Sequence, residues 1–168
     1  MGQMINSEKK RIVVGISDVK FSKDPNSYLV TYSLGSCIGA VAYDPEMRVG
    51  GMLHFQLPRL KDHEARLKDK PLMFADSGIQ ILLNNLEKLG ASRDRLVIGI
   101  YGGASILRDS DMFKIGIQNT RAAKKVFWQL SLNISKTDVG GNFSRTIRLD
   151  IATGKVLVSC TNTQLKSG

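Results

Sequence analysis

Residues 95–101, RLVIGIY, are apolar at nearly every position. A strand of that kind is stable only where other layers cover both of its faces, so this chain needs material on each side of a sheet. Further β-branched and aromatic runs accompany it, at residues 11–18 (RIVVGISD), 28–33 (YLVTYS), 48–55, 134–139, 145–150 and 155–159. Lys23-Asp24-Pro25-Asn26, Leu34-Gly35-Ser36-Cys37, Asp44-Pro45-Glu46 and Ala152-Thr153-Gly154 read as turns between them. Residues 38–43 are short and apolar, and periodicity alone does not separate strand from helix there. Two helices are expected. Phe74, Gly78, Ile81, Leu82, Leu86 and Leu89 recur at helical spacing ahead of Gly90, a residue suited to a helix end. Residues 116–130 form the second, with Ile117, Ala123, Val126, Phe127 and Leu130 inward. Residues 56–70, crowded with charge, read as a solvated loop. Strands outnumber helices, so the expected fold is an α/β or α+β sandwich of mixed sheets with two main helices.

The chain's 168 residues suit one domain, expected at residues 11–168 after a flexible start at 1–10. No apolar run approaches the roughly 20 residues of a spanning helix, and the polar start MGQMINSEKK does not resemble a secretory signal. Two cysteines make neither a disulfide framework nor a four-thiolate zinc site, which points to a reducing, cytoplasmic setting. The formal net charge is +9, and beyond Asp111 nine basic residues face two acidic ones. A positive surface toward the C-terminal third is expected, one that steers acidic partners. Nucleic acid is disfavoured as that partner, because no zinc-finger spacing, aromatic platform or basic tail accompanies the charge.

The chemistry gathers around Cys37, in a Gly-Ser-Cys turn directly after a strand, and His54, in a strand end 17 residues on. A nucleophilic cysteine needs a lowered thiol pKa and a base within reach. Backbone N–H groups at Cys37 and Ile38, beside Ser36 in the turn, are candidate oxyanion donors. Thr31, on the strand entering the turn, can accept the second ring N–H of His54 and hold its tautomer. Each residue has an ordinary reading too: a free cysteine is most often a small buried hydrophobe, and Thr is common in strands. Cys160 and His63 carry no comparable context. Gly102-Gly103 after the RLVIGIY strand lacks the Gly-Lys-Ser/Thr of a phosphate loop; it serves either turn geometry or contact with substrate.

At these residues the chain resembles the chemoreceptor glutamine deamidases of the CheD family. The segment TYSLGSCIGAVAYDPEMRVGGMLHFQLP from Thr31, Tyr101-Gly102-Gly103-Ala104, KIGIQNT from Lys114, DVGGN from Asp138 and the turn at Thr153-Gly154-Lys155 carry the likeness. One departure is Phe143-Ser144 where the family commonly has Gly before Arg145, and Ser adopts a positive φ less readily than Gly. The resemblance implies a catalytic triad of Cys37, His54 and Thr31 that converts glutamine side chains of methyl-accepting chemoreceptors to glutamate through a thioester. It implies no metal or organic cofactor, and a fold similar to that of toxins that deamidate small GTPases. The implied partners are the acidic cytoplasmic helices of the receptor and a CheC-type phosphatase, with a monomer sufficient and receptor methyl esters a lesser substrate. A binding-only adaptor is the alternative that the same resemblance allows.

Overall fold

In a computed structural model, residues 8–62, 68–106 and 110–161 are described. Nine strands make two sheets among these residues. The first has the order β1-β3-β8-β9, from Lys10–Val13, Ser27–Leu34, Ser144–Asp150 and Val156–Thr161; the second has the order β2-β5-β4-β6-β7, from Asp18–Ser22, Val49–Phe55, Ile38–Asp44, Val97–Gly102 and Lys136–Val139. The pairs β1/β3 and β6/β7 are parallel and the rest antiparallel, so both sheets are mixed. Helices α1 (Ala75–Lys88) and α2 (Ser110–Gln129) lie on the outer face of the second sheet.

The layers follow from period-two alternation. On β4 and β5, Ile38, Ala40, Ala42, Val49, Leu53 and Phe55 pack under the helices against Ile79, Leu82, Leu83, Leu86 and Phe127. Val41, Tyr43 and Met52 point the other way and meet Leu29, Ile147, Leu149 and Ile151 of the first sheet. The second sheet is thus a middle layer, and every residue of β4 and β5 is buried. This is the α+β sandwich the strand pattern requires, and residues 38–43 are a strand.

Several local expectations are corrected. Residues 11–18 are not one strand: β1 ends at Val13, Ser17 takes a positive φ of 53°, and the chain crosses to the other sheet before β2. The fold also begins earlier than residue 11, since Lys10 opens β1 and Lys9 pairs with Asp150 at 2.7 Å. The buried stripe of α1 centres on Ile79, Leu82, Leu83 and Leu86, while Ile81 and Leu89 are half-buried. Helix α2 starts at Ser110, and Ile117 is 37% exposed because Gly116, Asn119, Ala123 and Phe127 take the inward face. Ser144 sits inside β8 with no positive φ; Gly140 and Gly141 supply the left-handed positions, so Ser in place of Gly leaves the turn intact.

Asp44 locks the far end of the middle sheet. Burial opposes its charge, yet the Arg95 guanidinium and the N–H groups of Ser92, Met47 and Glu46 hold its pKa at about 2. Arg95 donates to it at 2.8 Å and Ser92 N at 2.9 Å, tying the entry to β6 onto the β4–β5 turn. Asp44→Ala leaves those donors without their acceptor and is expected to cost about 2–3 kcal/mol in urea unfolding, Arg95 being solvent-screened.

Candidate active site

The site lies at the opposite end of β4 and β5. Gly39 pairs with His54 across these strands, and Asp18 of β2 pairs with His54 on its other side. Cys37 stands two residues before Gly39, so it shares the inter-sheet face with Gly39 and is diagonal to His54. Such diagonal neighbours have Cα atoms roughly 7–8 Å apart, within reach of long side chains. Gly39 brings no side chain between them. Cys37 is half-buried and packs against the inter-sheet core.

Thr31 arrives from the facing sheet. Its direction is set by a β-bulge: Thr31 pairs with Ile147 and Leu34 with Arg145, so Tyr32 and Ser33 together oppose Thr146. Ser33 takes a positive φ of 55° within this bulge. The extra residue lets both Thr31 and Leu34 point inward.

The Thr31 hydroxyl donates to the Val14 carbonyl at 2.8 Å. Its single proton is thereby spent, so at 2.8 Å from His54 Nδ1 it acts as the acceptor and Nδ1 carries the hydrogen. The other ring nitrogen, Nε2, is left with its lone pair, buried and without a hydrogen-bond partner among the described residues. Burial pushes the pKa of His54 down to about 4, with the Asp18 carboxylate opposing. Burial pushes the Cys37 thiol up, while the residue's own backbone N–H acts in the opposite direction. The resting pair is therefore a neutral thiol and a neutral imidazole. This corrects the expectation of a lowered thiol pKa: packing against the inter-sheet core desolvates the sulfur.

The turn that carries Cys37 is clamped from behind. Gly103 N donates to the Cys37 carbonyl at 2.9 Å, and Ala104 N to that of Gly35 at 2.8 Å. A Cβ on Gly102 would overlap the Cys37 carbonyl oxygen, and Gly102 has φ 109°. The glycine pair thus serves close backbone approach, and the N–H of Gly103 is already committed to Cys37. Arg145 backs this loop from the first sheet; it is 2% exposed, bonds Asp138 at 3.0 Å and Gly140 O at 2.8 Å, and so does not contribute to the positive surface. Of Ser36, it is the carbonyl that is engaged, accepting from Asn119 Nδ2 at 2.9 Å. The same amide donates to Gln56 O at 2.8 Å, just beyond His54. Asn119 thus joins the ends of the strands that bear Cys37 and His54. From sequence it stands only as part of the KIGIQNT segment, without a role of its own; a polar residue in mid-helix signals a role only when it is buried, and its burial is set by packing. His63 lies outside the described residues, and Cys160 is exposed on β9, away from the cluster.

A mixed α+β sandwich with a buried hydroxyl–imidazole pair and a free thiol on the same face at one end of its middle sheet defines the class of this protein. Within it the chain belongs to the CheD family: the family model CheD, described as CheD chemotactic sensory transduction, matches residues 56–160. A Syntrophus aciditrophicus protein named "Probable chemoreceptor glutamine deamidase CheD 1" is 43% identical over 92% of this chain and 97% of its own length. A Solibacter usitatus relative of the same description is 41% identical over 88% of this chain and 87% of its own. One from Pyrococcus horikoshii is 40% identical over 88% and 90%. No helix among the described residues is long and apolar enough to cross a membrane.

The imidazole makes stability depend on pH. An unfolded histidine titrates near 6.5 and the folded one at about 4, so between these values the unfolded state binds more protons. Stability is expected to be full above about pH 6.5 and to fall by about 3 kcal/mol as pH drops to 4. Urea unfolding across that window should show this loss in the wild type, and His54→Gln should flatten it.

Proposed function

We propose that this chain is a protein-glutamine deamidase of bacterial chemotaxis, with Cys37 as nucleophile, His54 as general base and acid, and Thr31 as the residue that fixes the ring. The observation that carries the reading is the Thr31 hydroxyl: by donating to Val14 it can only accept from Nδ1, which leaves Nε2 free to take a proton. The names of the relatives support glutamine side chains of chemoreceptors as the substrate.

The reaction balances within this set of groups. As the Cys37 sulfur attacks the side-chain amide carbon, its proton passes to His54 Nε2, and the carbonyl electron pair moves onto oxygen. The backbone N–H of Cys37, which acts to lower the thiol pKa, is the candidate donor to that oxyanion. The imidazolium gives its proton to the amide nitrogen, the C–N bond breaks and ammonia leaves. Water then loses a proton to Nε2 while its oxygen attacks the thioester carbon. The C–S bond breaks, the sulfur recovers its proton from the imidazolium, and the product is glutamate. Gln plus water has become Glu plus ammonia, with no electrons exchanged. Thr31 bears no charge, unlike the carboxylate of a Ser-His-Asp site, so the imidazolium forms only as the reaction demands it.

Incubation with a chemoreceptor cytoplasmic fragment should release ammonia and add about one mass unit for each converted glutamine. Cys37→Ala is expected to abolish conversion, and His54→Ala to lower kcat by about 10²–10⁴-fold. Conversion that persists in Cys37→Ala would remove the nucleophile from the scheme.

A further inference from the structure

Helix α2 covers the middle sheet with one side and leaves the other bare. Lys114, Gln118, Arg121, Lys125 and Trp128 are all exposed, and they follow one another at intervals of four, three, four and three residues. That alternation lines side chains along one straight seam, the seam a helix offers to a second helix. From Lys114 to Trp128 it runs about 21 Å. Its chemistry is unusual for a solvated face. Trp128 is 78% exposed, and Trp and Arg are the side chains that most often anchor an interface. None of Lys114, Arg121 and Lys125 has an ion-pair partner among the described residues.

Alongside the seam runs a groove of about 400 Å³, where Gln118, Arg121, Ala122 and Lys125 face Pro58, Arg59 and Asp62. Arg59 is paired with Asp62 at 3.0 Å, so among the described residues the uncompensated charge of the groove is that of Arg121 and Lys125. Asn119, next to Gln118 in sequence but buried on the inward face of α2, bonds Ser36 O beside Cys37 and Gln56 O beyond His54, so the helix that carries the groove also braces the turns around Cys37 and His54.

We propose that this face docks the acidic helix that carries the target glutamine. Carboxylates at three- and four-residue intervals on that helix meet Lys114, Arg121 and Lys125, and an apolar side chain covers Trp128. The proposal rests on the deamidase reading and names the chemistry of its substrate. Charge selects the partner: three unpaired cations at helical spacing match an acidic helix, and a neutral one gains nothing from them.

Trp128 is the one tryptophan of the chain and reports docking by its fluorescence. Cys37→Ala protein is titrated with two synthetic helical peptides that each hold one glutamine, the first with Glu at three- and four-residue spacing and the second with Ser in place of those Glu. The acidic peptide is expected to shift the emission and bind at least about tenfold more tightly, with the preference shrinking as salt rises. Arg121→Glu with Lys125→Glu, both exposed helix positions, should unfold at the wild-type temperature and lose the preference. With Cys37 intact, the same double substitution should lose the acidic peptide's advantage in kcat/KM through a higher KM. Equal affinity for the two peptides, or a double variant that keeps the preference, overturns the docking face. Loss of binding preference with KM unmoved overturns the assignment to substrate and gives the face to another acidic helix. Preferential binding with no conversion by the Cys37-intact chain leaves the docking face standing and overturns the deamidase reading.

Discussion

One hydroxyl group between two sheets carries the most consequence in this molecule. Thr31 has a single proton and two polar neighbours, a carbonyl that can only accept and a ring nitrogen that can do either. The carbonyl of Val14 takes the proton, and the ring must then supply its own. A chain-crossing segment far from Cys37 in sequence thus decides which nitrogen of His54 is basic. The same contact joins the layers, because Thr31 belongs to one sheet and His54 to the other.

Cys37 lies on the same face as His54, and two backbone devices and one side-chain amide fix the segments around them. The bulge at Tyr32 and Ser33 turns Thr31 and Leu34 both inward. The close approach of Gly102 and Gly103 grips the Cys37 carbonyl from the neighbouring strand. Asn119 ties the carbonyls of Ser36 and Gln56 to the underside of α2. Burial there keeps the imidazole neutral and opposes ionisation of the thiol.

The sequence made part of this legible. Strand positions were readable because β-branched runs and turn residues alternate clearly, and the family was readable from the motif around Cys37 and His54. What could not be read was anything decided by a partner distant in the chain. The split of residues 11–18 reflects a crossing between sheets, which no local propensity encodes. Arg145 counted as surface charge until its burial against Asp138 and the Gly140 carbonyl was visible. Ile117 looked inward by periodicity, but the inner face of α2 must be small and polar where it meets the Gly103–Ala104 backbone and the Cys37 turn. The thiol was expected to be acidified and is instead desolvated, because burial depends on the facing sheet.

The tautomer of His54 is the property on which the proposed chemistry most directly depends. The chain has only two histidines, so ¹⁵N-histidine NMR resolves the ring at neutral pH. The expected spectrum for His54 is a neutral imidazole with its proton on Nδ1 and an unprotonated Nε2. In Thr31→Val that preference should be lost. A ring protonated on Nε2, or a cationic ring at neutral pH, would contradict the central claim, since neither can accept a proton from the Cys37 sulfur.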